Sequence, residues 1–180
     1  MTRKKIPGRF FIGENQMDKT NAMRILEARH AVYLAHAYPA ETALSGVEVA
    51  AVLGQDPAQV YKTLVTVAKS GKNYVFLIPV AEELDLKKAA ATVGEKAVSM
   101  LKSRELLPLT GYVHGGCSPV GMKKLFPTVV DDSACRLQTL IFSGGRIGLQ
   151  IEISLKELVK VIPFKTAALC ETTKNPGSDS

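Results

Sequence analysis

The hydrophobic positions of this chain follow two different spacings, which predicts a mixture of short helices and strands. Apolar residues at helical spacing predict a helix after Thr20, helices over 46–53, 86–93 and 103–107, and a last helix from Ser154 that ends before Pro163. Runs rich in β-branched residues predict strands over 32–36, 61–68, 74–80, 111–116, 128–131, 139–142 and 149–153. The elements are mixed without a βαβ rhythm or an internal repeat. We therefore predict an α+β fold, within the broad α/β class, with a mixed, mostly antiparallel sheet.

The clearest local signals lie at helix starts and at two turns. The S-x-x-E spacing of a capping box occurs twice, at Ser45 with Glu48 and at Ser154 with Glu157. In a capping box each of the two side chains accepts a hydrogen bond from the other residue's backbone amide. Glycine-containing turns at 69–72 and 143–148 predict two hairpins, one joining 61–68 to 74–80 and one joining 139–142 to 149–153.

Length and composition are those of an ordinary globular protein. The 180 residues, 46% hydrophobic and 22% charged, suit one domain over 17–170, with a flexible basic arm over 1–16 and a flexible tail over 171–180. The three cysteines are odd in number and lack zinc or redox spacing, so we expect free thiols, no metal and a cytoplasmic location. Because the apolar runs are too short to span a bilayer, we expect no membrane partner. The oligomeric state stays open.

Positive charge is concentrated near the N-terminus. The net charge is +6, and Arg3, Lys4, Lys5 and Arg9 all precede the first acidic residue, Glu14. Such an arm contacts a polyanion or is a solvated tail, and the charge pattern is compatible with both. The basic residues of the body permit a phosphate-bearing partner without requiring one.

Two glycine-rich segments are candidate binding loops. Residues 115–121 include a glycine pair and Pro119, and residues 143–145 are Ser-Gly-Gly. Glycine lets backbone amides approach a carbonyl or a phosphate closely, but a plain tight turn has the same composition. Neither segment matches the G-x-x-x-x-G-K-[ST] phosphate loop.

Several side chains are candidate reactive groups. Cys117 follows His114 by three residues, and residues three apart in an extended segment face opposite ways, so a buried structural thiol is favoured over a nucleophile. His30 and His36 have no sequence partner for a metal and are interpreted as structural or surface residues. Lys62 begins a predicted strand and is either an exposed lysine or a fixed cation beside a substrate.

Five ordered motifs carry a more specific resemblance. They are VYKTL at 60–64, LDLKK at 84–88, GYVHGGCSPVG at 111–121, PTVVD at 127–131 and SGGRIGLQIE at 143–152. From about Thr20 to Val161 the chain resembles the YbaK-like aminoacyl-tRNA deacylases, a family that also supplies the editing insertion of bacterial prolyl-tRNA synthetases. The resemblance implies a barrel-like sheet surrounded by short helices, and no metal or other cofactor. It also implies hydrolysis of a mischarged aminoacyl-tRNA ester, most typically cysteine on proline tRNA.

The resemblance assigns roles to individual residues. The family's essential lysine corresponds to Lys62, which makes it the predicted catalytic residue. The residues implied to bind the substrate are Thr63, Gly115, Gly116, Ser118, Pro119, Ser143, Gly144 and Gln150. Many members have aspartate where this chain has Gln150, so a neutral amide replaces a carboxylate beside the aminoacyl group. We therefore expect pocket size to decide selectivity and to favour small groups such as cysteine, alanine or serine.

The sequence thus predicts a metal-independent aminoacyl-tRNA deacylase that acts in trans, most typically on Cys-tRNA(Pro). The implied partners are the acceptor end of aminoacyl-tRNA and prolyl-tRNA synthetase. The attacking group is left open among a water, the vicinal ribose hydroxyl and a cysteine substrate's own thiol. One alternative is a non-catalytic tRNA- or synthetase-associated binding module of the same fold. Another is a cysteine-dependent hydrolase built on Cys117 and His114.

Overall fold

The computed structural model describes residues 9–11, 18–40 and 44–172, and these contain nine strands and five α-helices. The strands are β1 Arg9–Phe11, β2 Tyr33–Ala37, β3 Tyr61–Ala68, β4 Asn73–Pro79, β5 Val98–Met100, β6 Thr128–Asp131, β7 Leu140–Ser143, β8 Leu149–Ile153 and β9 Lys165–Ala167. The helices are α1 Asn21–Ala28, α2 Gly46–Val52, α3 Leu86–Val93, α4 Ser103–Thr110 and α5 Leu155–Leu158, with a 3-10 helix over Asp132–Arg136. None of the described helices is long and apolar enough to cross a membrane.

The strands form two sheets that enclose the main core. One sheet has the order β1-β2-β8-β7 and the other the order β5-β3-β4-β6-β9, and both combine parallel with antiparallel pairs. Both sheets contribute side chains to one apolar cluster, which includes Phe142 and Ile151 from the first and Val65 and Leu77 from the second. Helix α3 covers the outer face of the second sheet, where Ala89 packs in a cluster with strand residues of β4.

The local signals in the sequence predicted most elements correctly. Thr20 caps α1, and its hydroxyl accepts a hydrogen bond from the Met23 amide at 3.2 Å. The capping box of Ser45 and Glu48 starts α2, and Ser154 caps α5 through the Glu157 amide. Both predicted hairpins are present as antiparallel pairs, β3 with β4 and β7 with β8. The mixed α+β class is therefore confirmed.

Closure of the sheet into a barrel, as the resemblance implied, is wrong. In the described part of the chain the two sheets are open, and they approach each other at one isolated parallel bridge, between Val60 and Ile141. The predicted strand over 111–116 is also wrong. Gly111 adopts a left-handed conformation (φ 83°) at the end of α4, and the Tyr112 hydroxyl donates to the Val120 carbonyl at 2.6 Å, so the segment folds into a loop.

Three short strands were not predicted, because each depends on a distant partner. β1 pairs in parallel with β2, β5 pairs with β3, and β9 pairs with β6. β1 lies within the predicted flexible arm, so residues 9–11 of that arm form regular structure. The rest of the arm, and residues 173–180 of the predicted tail, lie outside the described residues.

Candidate active site

The candidate site lies where the two sheets meet. The bridge between Val60 and Ile141 is parallel, and the Ile141 amide donates to the Gln59 carbonyl at 2.9 Å. Lys62 and Ser143 each lie two residues beyond this bridged pair. Because side chains along a strand alternate with a period of two, Lys62 and Ser143 share the face of the bridged residues. The topology therefore places two predicted site residues, one from each sheet, at matching positions.

A row of three polar side chains crosses the first sheet at this level. Ser143 in β7 pairs with Gln150 in β8, and Gln150 pairs with His36 in β2. Side chains directly opposite each other on one face of a sheet have Cβ atoms about 4.5–5.5 Å apart. The row thus joins Ser143 and Gln150, which are both implied binding residues, and adds His36, which the sequence had indicated only as a structural or surface residue.

A network of hydrogen bonds holds His36. Its Nε2 lies 2.9 Å from one carboxylate oxygen of Glu152. The other oxygen of Glu152 accepts from the Gln59 amide at 3.1 Å and from the Thr139 hydroxyl at 2.9 Å. The carboxylate is therefore fully engaged, which fixes the imidazole at the end of the polar row.

Gln150 is held by a second glutamine, Gln55, which no pattern in the sequence singled out. The Gln55 side-chain amide donates to Gln150 Oε1 at 2.7 Å, and Gln150 is only 5% exposed. Gln55 follows α2 and its backbone amide donates to the Ala50 carbonyl at 2.8 Å. Its own Oε1 is buried and has no hydrogen-bond partner among the described residues.

The two glycine-rich segments are in direct contact. A Cβ atom at Gly116 would lie 2.9 Å from the Ile147 nitrogen and 3.0 Å from the Arg146 carbonyl carbon, so only glycine fits. Gly115 adopts a φ of 82°, which also favours glycine. At the base of the hairpin turn the Gly144 amide donates to the Leu149 carbonyl at 2.8 Å. The loop at 115–116 thus packs against residues 146–147 of the hairpin turn, which begins with Ser143 and Gly144.

Ser118 and Pro119 support this loop from inside. Both are buried, and the Ser118 hydroxyl accepts from the Val120 amide at 3.2 Å. Burial raises the pKa of the adjacent Cys117 thiol to about 11, whereas His114 is exposed. A thiol protonated at neutral pH is a poor nucleophile. The geometry therefore favours the interpretation of Cys117 as a packing residue.

The predicted pair Lys62 and Thr63 is divided between the two faces of β3. Lys62 is part of a loose ion pair, with its Nζ 3.9 Å from Glu83 Oε1, and its side chain is 30% exposed. Glu83 is 77% exposed, so water screens this contact and Lys62 is available to a ligand. Thr63 pairs with Leu77, a residue of the core between the sheets, and its hydroxyl is buried without a partner in the described part of the chain.

An open groove of about 760 Å³ adjoins the Glu83 side of this ion pair. It is lined by residues 81–87 with Glu171 and Thr172. Its lining includes Glu82, Glu83, Asp85 and Glu171, so its negative field disfavours a phosphate backbone. In the described residues, the groove included, no group of three or more His, Cys, Asp or Glu side chains could hold a metal ion.

The fold and this site belong to a known class. Residues 40–161, more than half of the chain, match the aminoacyl-tRNA editing domain, and the chain belongs to that family. The chemistry of this family is hydrolytic, so the protein is an enzyme of the aminoacyl-tRNA deacylase class. The resemblance seen in the sequence is thereby confirmed.

The chain is also similar to individual proteins of this class. The chain is 42% identical over 157 residues to EbsC of Enterococcus faecalis, to which its name attributes Cys-tRNA(Pro)/Cys-tRNA(Cys) deacylase activity. The match covers 87% of this chain and 94% of EbsC. The fold also matches a crystal structure whose description attributes to it trans-editing for prolyl-tRNA synthetase. This match has a TM-score of 0.74 at 29% identity and covers 84% of this chain and 96% of that one. A further crystal structure, of a hypothetical protein, matches with a TM-score of 0.76 at 25% identity, over 84% of this chain and all of that one.

Proposed function

We propose that this protein hydrolyses the ester of cysteinyl-tRNA(Pro) in trans, and that Lys62 is its catalytic residue. The names of the relatives support the substrate. The observation that supports the assignment of the site is the bridge between Val60 and Ile141, because Lys62 and Ser143 each lie two residues beyond it and Ser143 pairs with Gln150. The motifs that contribute these residues are far apart in the sequence.

The chemistry required of such a site is modest. An aminoacyl ester is already activated, so the enzyme has to position the attacking group and stabilise the carbonyl oxygen as it becomes anionic. The backbone amide of Gly115 is the group that we assign to the carbonyl, because the Gly116 amide already donates to the Val113 carbonyl at 3.0 Å. The ammonium of Lys62 supplies a fixed positive charge for the terminal adenosine's phosphate or hydroxyl.

The polar row defines the other side of the proposed pocket. Ser143 and Gln150 border the aminoacyl group, and His36 closes the row. Since Gln150 is neutral, electrostatic attraction contributes little selectivity, and the size of the pocket has to exclude larger side chains. Cysteine, alanine and serine are therefore the expected aminoacyl groups.

The proposal also concerns partners and location. The acceptor end of aminoacyl-tRNA is the substrate, and prolyl-tRNA synthetase, the enzyme that generates the mischarged tRNA, is the proposed protein partner. A trans-editing enzyme for that synthetase is the description given to one structural neighbour. We place this activity in the cytoplasm, where tRNA is charged.

A deacylation assay with matched lysine variants tests the proposal. Cysteinyl-, alanyl-, seryl- and leucyl-tRNA are incubated with the wild type, Lys62→Ala and Lys69→Ala. Lys69 is an exposed lysine at the opposite end of β3 and serves as the control. We expect Lys62→Ala to lose roughly 10²–10³-fold in rate, as is typical when a preorganised electrostatic group is removed. Lys69→Ala should retain full activity.

Other results would overturn parts of the proposal. If the wild type hydrolyses none of the four substrates, the remaining interpretation is a non-catalytic binding module. Fast turnover of leucyl-tRNA would refute the small pocket, and full activity of Lys62→Ala would remove that residue from the mechanism. The Cys117→Ala variant tests for a cysteine-dependent hydrolase. Only that mechanism predicts that this variant is completely inactive and that it lacks a covalent adduct formed by the wild type.

A further inference from the structure

The glutamine pair beside the polar row contains an unused acceptor. Gln55 Nε2 donates to Gln150 Oε1 at 2.7 Å, so that oxygen of Gln150 is occupied. The remaining acceptor of the pair is Gln55 Oε1, which is buried and has no partner among the described residues. Gln55 lies 95 residues from Gln150 along the chain and reaches it only through the fold.

A buried acceptor without a donor is costly. Leaving such a group unsatisfied destabilises a protein by about 1–3 kcal/mol. Native proteins contain few such groups, and a donor from outside the protein, such as a water, an ion or a ligand, is one explanation for such a group. The side chain is also well fixed, since its backbone amide and its Nε2 are both engaged.

The surroundings of Gln55 favour a positively charged donor. Gln55 follows the C-terminal end of α2, whose C-cap is Leu53, and the negative end of the helix dipole favours a nearby cation. Hydrogen bonds from an ionised donor are roughly twice as strong as neutral ones. An aminoacyl ester carries such a donor, its α-ammonium, on the carbon next to the carbonyl that is attacked.

We propose that Gln55 is a substrate-binding residue and that its Oε1 accepts a hydrogen bond from the α-ammonium of the aminoacyl group. This inference rests on the proposed function, because it specifies how the same site recognises its substrate. Gln150 then has a supporting role, in which it orients Gln55, while Gln55 makes the contact. The site distinguishes an α-amino acyl group from an α-hydroxy acyl group through this one oxygen.

The test uses two non-hydrolysable ligands that differ at the α-position. Both are 3′-amide-linked adenosines: one carries a cysteinyl group, and the other carries its α-hydroxy counterpart. Calorimetry gives the dissociation constant of each ligand for the wild type, Gln55→Leu, Gln55→Glu and Gln138→Leu. Gln138 is an exposed glutamine outside the site and serves as the control. Thermal melts compare the stability of all four proteins.

The expected result is a preference that depends on Gln55. The wild type and Gln138→Leu should bind the α-amino ligand about tenfold more tightly than the α-hydroxy ligand, which corresponds to about 1.4 kcal/mol. Gln55→Leu should bind both ligands equally. Gln55→Glu retains an acceptor, and Gln150 can hold it by turning its amide so that its Nε2 donates to the new carboxylate. This variant should therefore keep the preference, which a purely structural role of Gln55 would not predict.

The opposite results separate this inference from the proposed function. If Gln55→Leu retains the tenfold preference while the wild type hydrolyses cysteinyl-tRNA, Gln55 does not bind the ammonium and the inference is wrong, although the proposed function stands. If Gln55→Glu fails to keep the preference, the inference is likewise wrong. If the wild type binds neither ligand and hydrolyses no aminoacyl-tRNA, the proposed function fails and the inference fails with it.

Discussion

Replacing Gly116 by alanine should misplace the glycine loop, since the structure leaves no room for a side chain there. The added Cβ would lie 2.9 Å from the Ile147 nitrogen, about 0.5 Å short of the 3.4 Å at which ordinary contact begins. Two more contacts, with the carbonyl carbon and the Cα of Arg146, are at 3.0 Å. All three are backbone atoms, so no side-chain rotation can relieve the overlap. The loop and the hairpin turn have to separate.

The size of the effect follows from this overlap. Overpacking of this kind costs about 1–3 kcal/mol, and for a chain of this length each kcal/mol lowers the Tm by roughly 2–4 °C. Misplacement of a catalytic group by about 1 Å can cost about 10²-fold in rate, so half that displacement should cost roughly tenfold. The assay is kcat for cysteinyl-tRNA together with a thermal melt, for the wild type and Gly116→Ala.

A second glycine supplies the matched control. Gly71 lies in the β3–β4 turn with a φ of 87°, and a Cβ there would meet nothing within 4 Å. Gly71→Ala should therefore lose about 1–2 kcal/mol of stability through backbone strain alone, without loss of kcat. Wild-type kcat and Tm in Gly116→Ala would refute the reasoning. An equal loss of kcat in both variants would assign the effect to stability and not to the position of the loop.

Three further predictions follow from the site and its surroundings. Burial raises the pKa of Cys117 to about 11 from 9.0, so the rate of its alkylation should be low at pH 7.5 and increase only toward pH 11, whereas exposed Cys135 reacts readily. The stability that this pKa shift contributes is present below pH 9 and is lost as the pH rises through 11. Gln150→Asp should lower KM by adding a negative charge beside the α-ammonium, and an unchanged KM would exclude Gln150 from the site. Asp85→Ala removes the cap that accepts from two amides of α3 at 3.0 Å, and should cost about 1 kcal/mol in denaturant unfolding with kcat unchanged.

The sequence predicted those elements that depend on nearby residues. A capping box such as Ser45 with Glu48 is complete within four residues, and the hairpin of β3 and β4 is closed by a turn between adjacent strands. The strand expected over 111–116 shows the limit of such reasoning. Its composition suits a strand, but the hydrogen bond from Tyr112 to Val120 and the left-handed Gly111 direct the backbone elsewhere.

The sequence suggested members for the candidate site but not their arrangement. Motif resemblance selected Lys62, Ser143 and Gln150, and their role in the site stays a prediction. It also paired Lys62 with Thr63, whereas strand alternation sends Thr63 to the other face of β3. His36 was visible in the sequence only as an isolated histidine, because its register opposite Gln150 depends on how β2 and β8 pair.

What the sequence by itself determined is therefore the α+β class, the helix starts, the two hairpins and the family to which the chain belongs. In the described part of the chain, the tertiary structure alone decided how nine strands divide between two open sheets, and which polar groups meet where those sheets touch. The physical reason is that caps and tight turns are local interactions between residues a few positions apart. The contact between Gln55 and Gln150 instead joins a loop after α2 to a strand 95 residues away, and no periodicity in the sequence encodes it.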